Sequence, residues 1–86
     1  MDIIKIGKFI AERRKALGMT QMQLAEKLYI SDRAVSKWET GKSIPDVSIM
    51  LELSNILGIS VQELLMGEKI NMENSNQKNE QLLLDM

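Results

Sequence analysis

Residues Gln21–Thr40, QMQLAEKLYISDRAVSKWET, carry two apolar stripes of helical period separated by a short break. Leu24, Ala25 and Leu28 share one helix face, and Val35 and Trp38, three apart, share another. The break falls at Tyr29-Ile30-Ser31. Thr20 precedes the first stripe as an N-cap, Gln23 completes a capping box, and Met19 with Leu24 forms a hydrophobic staple. Ser31 is the N-cap candidate of the second helix, with Asp32 placed at the positive end of its dipole. The stretch therefore predicts a helix of about two turns, a tight turn, and a second short helix ended by Gly41. Ala25 is small where two helices crossing steeply over a short turn leave little room. With Leu24, Ala25, Leu28, Ile30, Val35 and Trp38 as the inner seam, Asp32, Arg33, Ser36 and Lys37 are left on the outer side of the second helix.

The same period extends in both directions. Ile6, Phe9, Ile10 and Leu17 form one stripe, which predicts a helix over residues 4–17 stopped by Gly18. Gly7 inside it lowers helix propensity, but its missing side chain suits close packing. Pro45-Asp46 opens a fourth helix with Asp46 as N-cap, and Val47, Met50, Leu51, Ile56 and Leu57 are its expected packing residues. Ser60 with Glu63 is a second capping box, and Ile59 with Leu64 a second staple, so a fifth helix follows Gly58. Gly18, Gly41, Gly58 and Gly67 each close a periodic stretch and are expected in the left-handed conformation. The expectation is an all-α chain, with residues 1–67 as one five-helix domain. Residues 68–86 read as a polar tail: Asn-rich from Asn71 to Asn79, then Leu82-Leu83-Leu84. A helix stable only against a partner, a dimerisation segment and a linker to a further region are all open readings of it.

Composition narrows the function. There is no cysteine and no histidine, so the usual zinc ligands, the thiol nucleophile and the commonest general base are missing. No carboxylate cluster has calcium-loop spacing. The expectation is a protein without a catalytic site, metal or cofactor. No apolar run is long enough to span a bilayer, and Met1-Asp2-Ile3-Ile4-Lys5 lacks the features of a secretory signal. A cytoplasmic location without membrane contact is expected.

The formal net charge of −1 conceals an asymmetry. Residues 5–42 hold nine Lys or Arg against four Asp or Glu, a net of +5. Residues 43–67 contain no Lys or Arg and carry −3, and residues 68–86 carry −2. Positive charge is thus confined to the half that contains the helix pair, as an electrostatic footprint for nucleic acid requires. Within it, Arg33 and Lys37 can donate to guanine O6 and N7, Ser36 can donate or accept, and Asp32 can accept from cytosine N4. Gln21, Thr40 and Lys42 are placed to hold phosphates at the two ends of the pair. A merely solvated charged face is the plainer reading of Arg33 and Lys37.

The ordered set Ile6-Gly7 through Arg14, Leu17-Gly18-Met19-Thr20-Gln21, Leu24-Ala25-Glu26-Lys27-Leu28, Ile30-Ser31, Val35-Ser36-Lys37-Trp38-Glu39, Gly41-Lys42-Ser43-Ile44-Pro45, Leu57-Gly58-Ile59 and Leu64-Leu65 resembles the Cro/phage-repressor (XRE) class of helix-turn-helix regulators. The resemblance covers residues 6–65. It implies a lambda-repressor-like five-helix bundle whose third helix reads double-stranded DNA, as a homodimer, in a transcriptional repressor. It implies base contacts from the positions of Asp32, Arg33 and Lys37 with Ser36 near the backbone, phosphate and base-edge contacts from Gln21, and Arg14 held near a phosphate; together with the reading of the residues above, the expected base contacts are Asp32, Arg33, Ser36 and Lys37 and the expected phosphate contacts Gln21, Arg14, Ser31, Thr40 and Lys42. It also implies an Arg14–Glu39 ion pair. The alternative is an antitoxin or other protein-interaction module that contacts its partner through the tail. One departure from the pattern is Tyr29, where many such sequences place Gly; a left-handed turn there would strain a tyrosine.

Overall fold

The computed structural model describes residues 1–70. They form α1 (Ile3–Ala16), α2 (Gln21–Leu28), α3 (Asp32–Glu39), α4 (Val47–Leu57) and α5 (Val61–Met66), and no strand occurs among the described residues. None of these helices is long and apolar enough to cross a membrane. Residues 71–86, with Leu82–Leu84, lie outside the described residues.

Three of the four predicted N-caps form with side-chain hydrogen bonds. Thr20 and Ser60 accept from the backbone N–H of Gln23 and Glu63, whose side chains accept in return from the N–H of Thr20 and Ser60. Ser31 accepts from the Ala34 N–H. Asp46 precedes α4 with extended backbone but makes no side-chain cap bond. Asp2, not singled out from the sequence, caps α1 by accepting from the Lys5 N–H at 3.0 Å. The four helix-ending glycines all have positive φ.

One core holds the helices together. Ile6, Phe9 and Ile10 of α1 meet Leu24, Ala25 and Leu28 of α2, Val35 and Trp38 of α3, Leu53 and Leu57 of α4, and Leu64 of α5. Both α1 and α2 pack on α3. The closest approach is at Gly7, where a Cβ would overlap the Trp38 carbonyl oxygen. That glycine lets the backbone of α1 lie directly on the end of α3.

Three expected core positions are not in the core. Leu17 is exposed because it caps the end of α1 with non-helical backbone and leaves the stripe. Val47 and Leu51 are exposed as well. The buried side of α4 is Met50, Leu53, Ser54 and Leu57, which turns Leu51 about 100° away from Met50. Val47 is the first residue of the helix and is also left in solvent.

The turn between α2 and α3 is left-handed at Tyr29, with φ 58° and ψ 40°. Tyr29 is the only non-glycine with positive φ among the described residues, and it is 93% exposed. It holds the helix-pair geometry at the cost of local strain, with no packing to compensate.

Two outcomes follow for urea or thermal unfolding. Gly7→Ala should destabilise by about 3 kcal/mol, because the obstacle is backbone that cannot rotate away. Tyr29→Gly should stabilise by about 0.5–1 kcal/mol, the relief of left-handed strain exceeding the extra entropy of glycine. A stability unchanged in Gly7→Ala, or lowered in Tyr29→Gly, would contradict these geometries.

Candidate nucleic-acid interface

α3 is anchored on one side and open on the other. Val35 and Trp38 are buried, while Asp32, Arg33 and Lys37 are exposed and Ser36 is half-buried. Neither Arg33 nor Lys37 is paired with a carboxylate among the described residues. The structure therefore keeps the four expected base-reading residues together on the outer side of one helix. Ser31, at the start of α3, is exposed and keeps its hydroxyl proton, because it only accepts from Ala34. Lys42 is exposed beyond the other end, and its N–H donates to the Lys37 carbonyl at 2.9 Å, which fixes the chain leaving α3.

Behind this surface lies a buried polar cluster. The Arg14 guanidinium donates from Nε to Glu39 Oε2 at 2.7 Å and from Nη2 to Glu39 Oε1 at 2.9 Å. Its Nη1 donates to the Met19 carbonyl at 2.8 Å. Gln21 Nε2 donates to Glu39 Oε1 at 3.0 Å. Glu39 thus ties α1 and the start of α2 to the end of α3, and Arg14 adds the α1–α2 connection. Burial pushes the Glu39 carboxyl up, but the bonds from Arg14 and Gln21 outweigh it and hold the group below the ordinary range. Glu63 is also held low, chiefly by the backbone N–H groups of Ser60 and Ile70.

Two residues expected to contact phosphate have partners within the fold. Arg14 is only 8% exposed, and its planar fork is committed to Glu39 and Met19. It is a structural support for Gln21 and does not lie on the surface. Thr40 turns its hydroxyl back to donate to the Ser36 carbonyl at 2.8 Å, so in this rotamer it has no proton for a phosphate oxygen. Gln21 stays at the edge of the surface, half-buried, with its amide oriented by Glu39.

Arg13, like Asp2, has a structural task that was not singled out from the sequence. Arg13 donates from Nε and Nη2 to the Leu57 carbonyl at 3.2 and 3.0 Å, closing the C-terminal end of α4. Adjacent arginines on α1 thus brace different helices, Arg13 holding α4 and Arg14 holding α3. Nothing in the spacing of Arg13-Arg14 distinguishes these tasks.

Removing the Glu39 carboxylate leaves Arg14 buried and unpaired, so Glu39→Ala should cost about 3–5 kcal/mol of stability. The folded pKa of Glu39 lies below its unfolded value of about 4.3. The stability it contributes is therefore present above that value and lost as pH falls through the lowered folded one. Urea titrations across this acid range should show a shallower decline for Glu39→Gln than for the parent chain; equal slopes would count against the pair.

The comparisons with known proteins agree with this arrangement. The helix-turn-helix family model matches residues 10–64. The HTH-type transcriptional activator BcrR of Enterococcus faecalis is 38% identical over 67 residues, covering 78% of this chain and 33% of its own. The HTH-type transcriptional regulator DicA of Escherichia coli is 41% identical over 66 residues, covering 77% of this chain and 49% of its own. The chain thus spans a third to a half of the length of these two relatives. Among solved structures, the P22 c2 repressor in complex with synthetic operator 9T superposes with a TM-score of 0.70 at 35% identity, over 73% of this chain and 96% of that one. With its five helices, its anchored third helix and these matches, the chain belongs to the XRE-type helix-turn-helix family of transcriptional regulators.

Proposed function

We propose that this chain binds duplex DNA sequence-specifically by laying α3 in the major groove, and that it does so as a homodimer acting as a cytoplasmic transcriptional repressor. The observation that carries the reading is the two-sidedness of α3. Val35 and Trp38 hold it to the core, while Arg33 and Lys37 stand outward without a carboxylate partner among the described residues. A major groove about 12 Å wide admits such a helix. Arg33 and Lys37 are assigned to guanine edges, Ser36 to a base edge, and Asp32 to a cytosine amino group or to orienting Arg33. Gln21, Ser31 and Lys42 are assigned to phosphates, with Thr40 joining them only if its hydroxyl leaves Ser36. Repression is favoured because the P22 c2 structure, a repressor with its operator, matches over nearly its whole length. No catalytic step is assigned to this chain.

A single domain of this size covers little of the duplex, so two half-sites about 34 Å apart are expected. Selection of bound duplexes from a random pool, at stated salt, tests the reading by returning a two-fold symmetric site. On that site Arg33→Ala and Lys37→Ala should each cost about 1–3 kcal/mol and relax preference at one base position. Lys42→Ala should weaken all sequences alike and lower the slope of log K against log salt by about 1. Unchanged affinity and base preference in the two α3 variants would remove α3 as the reading element.

A further inference from the structure

The first turn of α1 carries aliphatic surface that the core leaves open. Ile3 is 38% exposed and Ile4 58%, and Met66, at the end of α5, is 44% exposed. These residues meet at one end of the fold. Gly67, directly after Met66, lies so close to α1 that a Cβ there would come within 3.0–3.1 Å of Lys5 and Ile6. Two contacts then fix where the chain leaves the domain. Lys5 Nζ pairs with Glu68 Oε2 at 3.3 Å, and the Ile70 N–H donates to Glu63 Oε2 at 2.9 Å. Residues 71–86 therefore start beside the open aliphatic surface. They include Leu82-Leu83-Leu84, flanked by Glu80 and Asp85. On the domain, Lys8 stands one helical turn after Ile4 and is exposed, as is Lys69 next to the exit. Asp2 is engaged in capping α1 and Glu68 in pairing with Lys5, so Lys8 and Lys69 set the sign of the rim.

We infer that Leu82–Leu84 of the same chain cover this surface, packing on Ile3, Ile4 and Met66 with Glu80 and Asp85 beside Lys8 and Lys69. Reach allows it. Residues 71–81 separate Ile70 from Leu82, and a flexible stretch of that length spans about 20 Å. The first turn of α1 lies well inside that distance, because Gly67 already touches it. Charge favours it as well. Residues 71–86 hold Glu73, Glu80 and Asp85 against Lys78, a net of −2, and the rim they meet is cationic. Size decides which copy supplies the leucines. A stable interface between free molecules buries about 800 Å² per partner, which a few partly exposed aliphatic side chains do not supply. A short tether holds its own leucines at roughly millimolar effective concentration, far above that of a second copy in micromolar solution. The occupant is therefore the chain's own tail, and the contact does not depend on the DNA-binding reading above.

The chain has no cysteine, so a pair of introduced thiols reports the contact in the full chain. In a glutathione redox buffer, the variant Ile4→Cys, Leu83→Cys should form a disulfide within one chain. Its effective concentration should be roughly 10-fold or more above that of the same pair carrying Leu82→Ser and Leu84→Ser. The reference pair Leu17→Cys, Leu83→Cys, at the exposed far end of α1, should show no such dependence on the leucines. Adding Glu80→Lys and Asp85→Lys to the first pair should lower its effective concentration, more at low salt than at high. Independently of any thiol, amide NMR of the variant Leu82→Ser, Leu83→Ser, Leu84→Ser should show shifts at Ile3, Ile4, Lys8 and Met66, with the buried Leu24 and Val35 unmoved. No gain over the serine background, an equal gain at Leu17, or disulfides that join two chains in place of one would overturn the inference. So would a spectrum unchanged at Ile3, Ile4 and Met66.

Discussion

Trp38 and Val35 decide what α3 can do. Their burial against α1 and α2 fixes the rotation of a helix only two turns long, and that rotation leaves Arg33 and Lys37 outward. An isolated helix of this length would not be stable in water. Its geometry is therefore borrowed from the core, and everything proposed for the outer side rests on the inner one. The fit is tight enough that α1 carries Gly7 where the Trp38 carbonyl approaches.

Polar groups complete this anchoring at its most vulnerable point, the C-terminal end of α3. Glu39 gathers Arg14 from α1 and Gln21 from α2 around one carboxylate. A buried pair of this kind adds little net stability over a well-packed apolar replacement. What it supplies is direction: a carboxylate with two bound partners tolerates few alternative arrangements of the three helices. Because Gln21 stands at the edge of the proposed DNA surface, the same cluster that orients the fold also orients a side chain at that edge.

Charge is segregated along the chain: residues 5–42 carry a net of +5, whereas residues 43–67 contain no Lys or Arg and carry −3. The molecule thereby has one surface attractive to a polyanion and an adjoining surface indifferent to it. The left-handed Tyr29, fully outward on the α2–α3 turn, is the visible strain in this design.

Period, caps and terminating glycines were readable from the residues alone: Thr20 with Gln23, Ser60 with Glu63, and Gly18, Gly41, Gly58 and Gly67 all act locally, within one helical turn. The placement of Asp32, Arg33, Ser36 and Lys37 opposite Val35 and Trp38 was likewise legible, since helix geometry alone dictates it. Tertiary packing decided the rest. It buried Arg14 behind Gln21, sent Arg13 to the end of α4, turned Thr40 back on Ser36, and left Val47 and Leu51 in solvent. Those outcomes depend on which partner arrives from a distant part of the chain, and the local pattern of an amphipathic helix holds no record of that.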